Sequence, residues 1–298
     1  MKGIVLAGGM ASRLAPTTFV VNKHILPIYN KPMIYYALST LMLIGIRDIL
    51  ITSGTNDLPL FKQLLGDGSQ LGISVKYAAQ ENAGGIAEVL LVAEDFLAGS
   101  ERFAMILGDN IFYIPHIRRN LQNLFNITRG AGILLSNVCD PCRFGIAGFD
   151  NSGNIVTVEE KPEKPKSNWA ITGLYFYDQL AIKFAKDASR SARGELEITT
   201  INECYLKHDM LYYSKMPRGS IWLDTGTPKS MFDASEFIKI IDERQQTKIA
   251  VLEEVAYNMG YISKEELLQS ASKFKKGCEY REYIIECYND TNTAILNL

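Results

Sequence analysis

A mostly parallel, doubly wound α/β sheet is predicted by three features of the sequence. Short apolar runs alternate with segments of helical periodicity through roughly the first half of the chain, the trace that successive βαβ units leave when strands are covered on both faces. The first run ends at Leu6 in a glycine-bearing turn, LAGGMASRL, at residues 6–14. Further along, the pattern changes to a hairpin followed by helices.

Taken in order, residues 2–6, 48–52, 74–77, 103–107 and 132–138 read as buried strands, and 32–45, 57–65, 85–96 and 116–125 as the helices around them. Residues 144–149 and 155–159 flank Asp150-Asn151-Ser152-Gly153, a hairpin signal, and 168–177 adds a strand. Helices follow at 196–207 and 227–245. The stretch from 247 to about 287 also reads as helical, with no repeat and no low-complexity linker.

Composition narrows the function classes. The chain has 298 residues, 47% of them hydrophobic, enough to bury a large core. Its 31 basic and 33 acidic residues nearly balance, which argues against nucleic acid as a partner, because phosphate-backbone binding shows as a basic excess. The most apolar helical stretch, 33–46, is too short to span a bilayer, so no membrane association is expected. The N-terminus runs directly into a strand without the pattern of a signal peptide, and five cysteines form no disulfide framework; both favour a reduced, cytoplasmic setting. Cys139 and Cys142 have metal-site spacing, but no second close pair and no neighbouring histidine complete four ligands, so they read as incidental thiols.

The turn after Leu6 has a chemical reading. In a parallel sheet, ligands bind beyond the carboxyl ends of the strands. Gly8 and Gly9 let the backbone turn sharply and bring N–H groups close to phosphate oxygens, and Arg13 adds a fork of donors. Neither G-x-x-x-x-G-K-[ST] nor G-x-G-x-x-G is present, so a P-loop and a dinucleotide-binding turn are both unsupported. Other residues give the turn company: Lys23 in NKHILPIY, Asp109 in LGDN after an apolar run, Glu160 and Lys161 in EEKP, and Asp224 in WLDTGT. Two aspartates at strand ends suit Mg²⁺ when phosphate oxygens and water supply its remaining ligands.

The ordered set LAGG, R-L, K-x-x-L-P-I-Y, KPMIYY, GDGS, LGDNIFY, EEKP, TGLYFYD, ARGELEIT and WLDTGT resembles the short-form bacterial glucose-1-phosphate thymidylyltransferases, from residue 1 to about 245 and more weakly beyond. The resemblance implies a Rossmann-like nucleotidyltransferase fold with sugar-binding insertion strands and C-terminal helices. It also implies Mg²⁺ dependence, a homotetramer, and transfer of a nucleotidyl group from dTTP to glucose 1-phosphate, giving dTDP-glucose for rhamnose-type deoxysugars. Residues 1–245 would form the nucleotidyltransferase domain, with a nucleotide half at about 1–140 and a sugar-phosphate half at about 141–245. Residues 246–298 would be helices packed on it. By matching positions, Gly8, Gly9, Arg13 and Lys23 would meet the nucleotide phosphates, with Leu6 at the strand end. Gln80 and Gly85 would meet the base. Asp109 and Asp224 would hold the metal, Asp109 also lying beside the nucleotide, and Gly145, Glu160, Lys161 and Tyr175 would meet the sugar phosphate. Arg13, Lys23 and Lys161 are the expected catalytic cations.

Those residues suit the chemistry. A sugar 1-phosphate is already an anionic nucleophile, so the task is to align two anions that repel each other. The chain also departs from the family pattern: Ala11 stands where a glycine is usual, Glu88 where a glutamine is usual, Ile146-Ala147-Gly148 replace the usual run after Gly145, and Thr200 replaces an aspartate. These departures leave two alternatives, the same reaction on another nucleotide or sugar 1-phosphate, or a non-catalytic regulatory relative. Tyr257, Tyr261, Leu267, Leu268, Phe274 and Tyr283 are apolar enough to cover a subunit boundary or to pack on their own core.

Overall fold

The computed structural model describes residues 1–9, 11–81, 84–245 and 247–290; Met10 of the first turn and residues 82 and 83 of the base-facing stretch lie outside the described residues. In chain order the strands are β1 (Lys2–Leu6), β2 (Pro27–Ile28), β3 (Lys31–Pro32), β4 (Asp48–Ser53), β5 (Ser74–Ala79), β6 (Arg102–Leu107), β7 (Asn110–Tyr113), β8 (Ala131–Asn137), β9 (Gly145–Phe149), β10 (Ile155–Glu160), β11 (Trp169–Asp178), β12 (Leu211–Lys215) and β13 (Ile221–Asp224).

Nine of these strands form a central sheet, with β1 between β4 and β6 and with β5 outside β4, all parallel. The long β11 runs antiparallel to β6, β8 and β9, and β12 pairs parallel with β8. Seven of the nine strands therefore point one way, and only β11 and β10 are reversed. The sheet is mostly parallel, as predicted. The alternation of β1 shows why its run is apolar after Lys2. Val5 faces a cluster with Leu38 and Leu41 of helix Ile34–Leu43, while Ile4 and Leu6 face a second cluster with Val89 and Leu90 of helix Glu88–Val92.

Several predicted helices are corrected. The one expected at 85–96 begins only at Glu88 and divides into Glu88–Val92 and Glu94–Leu97. The segment before it instead pairs with another loop: Leu196 N donates to Gly84 O at 2.7 Å and Ala87 N to Leu196 O at 3.0 Å. Gly85 permits that close approach, for it has φ of 102° and a Cβ there would stand 2.4 Å from Leu196 O. The helix expected at 116–125 divides into Ile117–Asn120 and Gln122–Phe125. The helix expected at 196–207 starts at Ile198. Helix Leu180–Asp187, β12 and β7 have no counterpart among the expected elements, whereas the strand expected to end at Asp224 is β13, which pairs with β7 outside the central sheet.

The C-terminal stretch forms helices Leu252–Asn258, Lys264–Ala271 and Glu279–Asn289, the second opened by a capping box of Ser263 and Glu266. Val255, Leu267 and Ile284 lie in the same cluster as Val5 and Leu38. Of the six apolar residues expected to cover a subunit boundary or to pack on their own core, Leu267 and Tyr283 are buried in that core, Tyr257, Tyr261 and Phe274 pack against it, and Leu268 is 40% exposed. Helix Pro228–Gln245 instead exposes Phe232 and Ile240. No described helix is long and apolar enough to cross a membrane.

Candidate active site

Two adjoining cavities open along the carboxyl ends of the parallel strands. One, of about 230 Å³, is lined by Leu6, Gly8, Gly9, Lys23, Gln80, Gly85 and Asp109 among others. Its neighbour, of about 220 Å³, is lined by Arg13, Asp109, Gly145, Glu160, Lys161, Tyr175 and Asp224 among others. Asp109 belongs to both walls, together with Ile86 and Leu107. The residues expected to bind substrate or metal thus line one bipartite cleft, with Gly8, Gly9, Lys23 and Gln80 at one end and Glu160, Lys161 and Tyr175 at the other; Arg13, expected at the triphosphate, lines the second cavity with Asp224 and not the first.

Asp109 sits where it does because β6 runs beside β1 and the register continues past both strands: Gly108 N donates to Leu6 O at 2.8 Å. Gly108 must lack a side chain, since a Cβ would stand 2.7 Å from Leu6 O and 2.8 Å from the His24 ring. Beyond it, the β7–β13 ribbon places Asp224 opposite Asn110, and Thr225 donates to Asp109 O through both its N–H and its hydroxyl. Asn110 fastens this corner. Its amide donates to Asp109 Oδ1 at 2.9 Å, while its Oδ1 accepts from Gly173 N at 3.1 Å and Trp222 Nε1 at 2.6 Å.

The two aspartates differ electrostatically. Burial works against ionisation of Asp109, but Lys23, which donates to its Oδ2, His24 beside it and the Asn110 amide hold its carboxyl well below the usual range. Asp224 is pushed up, first by burial and then by the negative charge of Asp109, against Arg143, Lys23 and Arg13. Arg143 bonds Asp224 Oδ2 at 3.2 Å and Gly226 N bonds its Oδ1 at 3.1 Å. A carboxylate held ionised beside a second whose ionisation it opposes, both on one cavity wall, forms a hard-oxygen pair suited to a divalent cation. Among the described residues, no group of three or more His, Cys, Asp or Glu side chains could hold a metal, so phosphate and water would have to complete the shell. His24 is fully buried and pushed down to about 3 by burial and by Lys23, so its ring is neutral; Nδ1 meets Asn22 Oδ1 at 2.8 Å.

The loops that carry Arg13 and Lys161 toward the cleft each contain a non-glycine residue in the left-handed region: Ala11 at φ of 45° and Lys161 at φ of 44°. Ala11 O accepts from Leu14 N at 2.9 Å and from Thr18 Oγ1 at 3.0 Å, so surrounding bonds enforce the conformation. The next residues form a short 3-10 turn, Ser12–Leu14, from which the Arg13 guanidinium reaches Gly226, where a Cβ would stand 2.8 Å from it. A left-handed alanine costs about 1–2 kcal/mol. Replacing it with glycine regains that strain but adds about 0.4–1 kcal/mol of unfolded-state entropy. Ala11→Gly is therefore expected to leave thermal stability unchanged or raise it modestly while lowering the nucleotide KM, read by melting curves and steady-state kinetics; a raised KM would mean that the Ala11 methyl group itself aids binding.

At the sugar end, Glu160 accepts from Thr199 Oγ1 at 2.5 Å and lies 3.2 Å from Lys161 Nζ, with Arg193 at 3.4 Å. Gly145 faces the same carboxylate, and the hydroxyl of buried Tyr175 is pushed up by burial and by Glu160 and Asp109, so it stays a donor. Arg143, Thr199, Trp222 and Arg190 were not singled out from the sequence. Their partners at the cleft, Asp224, Glu160, Asn110 and Glu88 respectively, are distant in sequence, although Arg143 and Arg190 also bond the nearby Asp140 and Gly194 O.

A family profile for nucleotidyl transferases matches residues 2–240. A glucose-1-phosphate thymidylyltransferase of Neisseria meningitidis is 46% identical over 285 residues, which is 96% of this chain and 98% of the relative. One from Mycobacterium tuberculosis is 43% identical over 286 residues, 96% of this chain and 98% of that protein. The chain belongs to the glucose-1-phosphate thymidylyltransferase family. A solved structure from Bacillus anthracis, titled as a candidate enzyme of this family in complex with sucrose, superposes with a TM-score of 0.74 at 46% identity, covering 80% of this chain and 94% of that one. A UDP-glucose pyrophosphorylase solved with UDP-glucose has a TM-score of 0.71 at 22% identity, covering 80% and 98% respectively, and shows the same fold.

Proposed function

We propose that the protein transfers a nucleotidyl group from dTTP to glucose 1-phosphate, giving dTDP-glucose and pyrophosphate. The observation that carries this reading is the pair of cavities meeting at Asp109, one lined by the glycine turn and the other by the Glu160–Lys161 corner. A phosphate oxygen of the sugar 1-phosphate forms the new bond to the α-phosphorus, the bond to the bridging oxygen of the β-phosphate breaks, and pyrophosphate leaves with that electron pair. No proton need move.

In this arrangement the backbone at Gly8 and Gly9 meets the triphosphate, Arg13 and Lys23 balance its charge, and Gln80 and Gly85 meet the base. Lys161 holds the attacking phosphate, while Glu160, Tyr175 and the backbone at Gly145 orient the sugar. Asp109 and Asp224 would hold Mg²⁺, which when bound offsets charge at the α-phosphate. The division of labour follows the chain: residues up to about 140 serve the nucleotide, about 141–245 the sugar phosphate, and the helices beyond pack on the same core. A rhamnose-type deoxysugar route, a cytoplasmic setting and a homotetramer belong to the same reading.

Incubating the protein and Mg²⁺ with each common nucleoside triphosphate against a panel of sugar 1-phosphates, and following pyrophosphate, tests the proposal. The expected result is fastest release with dTTP and glucose 1-phosphate. Release with no pair would favour the regulatory alternative, against which stands the presence of Lys23, Asp109, Lys161 and Asp224 on one cleft. For assembly, sedimentation at micromolar concentration is expected to give a tetramer, with Phe232 and Ile240 supplying exposed apolar surface. A monomer would remove that part of the reading.

A further inference from the structure

Beside the proposed base site, the amide of Gln80 is held by two groups that can only accept. Its Nε2 donates to Gly85 O at 3.2 Å and to Glu88 Oε2 at 3.0 Å. Glu88 is in turn anchored by Arg190, whose NH2 meets Oε1 at 2.8 Å and whose NH1 donates to Gly84 O at 3.1 Å and Gly194 O at 3.0 Å. Burial opposes ionisation of Glu88, but its bonds from Arg190 and Gln80 hold the carboxyl below the usual range, so it offers no proton to donate. A carbonyl and a carboxylate on one side of an amide leave only one orientation. The NH2 faces them, and the amide oxygen faces away.

That oxygen looks toward the cavity. Gln80 Oε1 lies 3.2 Å from where a Gly8 Cβ would stand, both residues line the nucleotide-side cavity, and no donor meets this oxygen among the described residues. We propose that Glu88, anchored by Arg190, is a positioning residue that fixes Gln80 as a hydrogen-bond acceptor and thereby selects a pyrimidine carrying a ring N3–H, as in thymine or uracil, over cytosine, whose N3 is an acceptor.

The inference rests on the proposed placement of the base at Gln80. It gives the departure at position 88 a specific consequence. Glutamine can turn its own amide to donate or accept, so it permits either orientation of Gln80, restrained only by Gly85 O. A carboxylate forbids the flipped state, because Gln80 Oε1 would then face an anion. The arginine adds a second effect, since it ties the loop ending at Glu88 to the loop at 190–195 and keeps the carboxylate from turning away.

The test is the ratio of kcat/KM for dTTP to that for dCTP in the wild type, Glu88→Gln and Arg190→Ala. The expected result is a wild type that strongly prefers dTTP, and a preference that falls by about tenfold in Glu88→Gln. The change should come chiefly from a lower KM for dCTP rather than from kcat. Arg190→Ala should narrow the ratio less, because the carboxylate remains. A role confined to holding the loops together would instead lower both nucleotides in proportion, and that outcome overturns the proposal, as does an unchanged ratio in Glu88→Gln. A wild type with no preference between dTTP and dCTP overturns the base reading beneath it, and is seen before any variant is made.

Discussion

Asp109→Asn and Asp224→Asn are each expected to lower turnover by about a thousandfold, roughly 4 kcal/mol of transition-state stabilisation, while only the first destabilises the fold. The shared loss follows from their places on one cavity wall, where each would contribute a carboxylate to the same cation. The divergence follows from their charge environments. The Asp109 carboxyl is held low by Lys23, so its charge contributes stability at pH values above the unfolded carboxylate range, and that contribution is lost as pH falls through the lowered value. Removing the charge leaves Lys23 without its anion and should cost about 1–3 kcal/mol. Asp224 is raised by burial and by Asp109, so ionising it costs folding free energy as pH rises through the ordinary carboxylate range. Neutralising it should leave stability unchanged or increase it, offset by a weaker contact with Arg143. Steady-state kinetics in saturating Mg²⁺ and thermal unfolding at neutral pH read both effects. Near-parental turnover in either variant would strike that residue from the site, and a strongly destabilised Asp224→Asn would mean that its bonds to Arg143 and Gly226 outweigh the repulsion.

That contrast was not legible in the sequence, and the reason is distance along the chain. Asp109 and Lys23 lie 86 residues apart, and Arg143 and Asp224 lie 81 apart. Local patterning marks a charged residue at a strand end but not the partner that sets its charge. What patterning does reveal is the buried parallel strands. Residues 2–6 emerge with the predicted bounds because both faces of β1 are covered, so no polar residue interrupts the run. The β7–β13 ribbon is marked only by the short apolar run before Asp224, which does not reveal its pairing. Each strand is four residues long and is held by Asn110 bonds to Gly173 and Trp222, which only the finished fold brings together. Helix Leu180–Asp187 buries only Ala181, Ile182 and Ala185, too few apolar side chains to stand out. Strand ends and charged motifs mark several residues that line the cleft, and the family resemblance adds the long-range company that composition and periodicity could not supply. Gly85 illustrates the limit: its match to the motif placed it at the base, but its steric reason, the Leu196 backbone, is visible only in three dimensions.

Lys161→Ala should abolish productive use of the sugar 1-phosphate while nucleotide binding persists. Lys161 lies in the wall that also holds Glu160, Gly145 and Tyr175, and it is absent from the lining of the nucleotide-side cavity. Its ammonium is 3.2 Å from Glu160 Oε1, but its side chain remains 47% exposed, so the ion pair adds little to stability and leaves the cation free to turn toward a phosphate. Losing the cation proposed to meet the attacking anion in both ground and transition states should lower kcat/KM for the sugar phosphate by about a hundredfold or more. The backbone offers a control. Lys161 has φ of 44°, so alanine inherits the strain whereas glycine relieves it. If the ammonium is what matters, Lys161→Ala and Lys161→Gly will be equally poor with the sugar phosphate, although the glycine variant escapes the left-handed penalty. Recovery of activity in Lys161→Gly would show that the alanine variant failed through its loop, and equal losses of nucleotide and sugar-phosphate affinity in both variants would move Lys161 to the triphosphate side of the cleft.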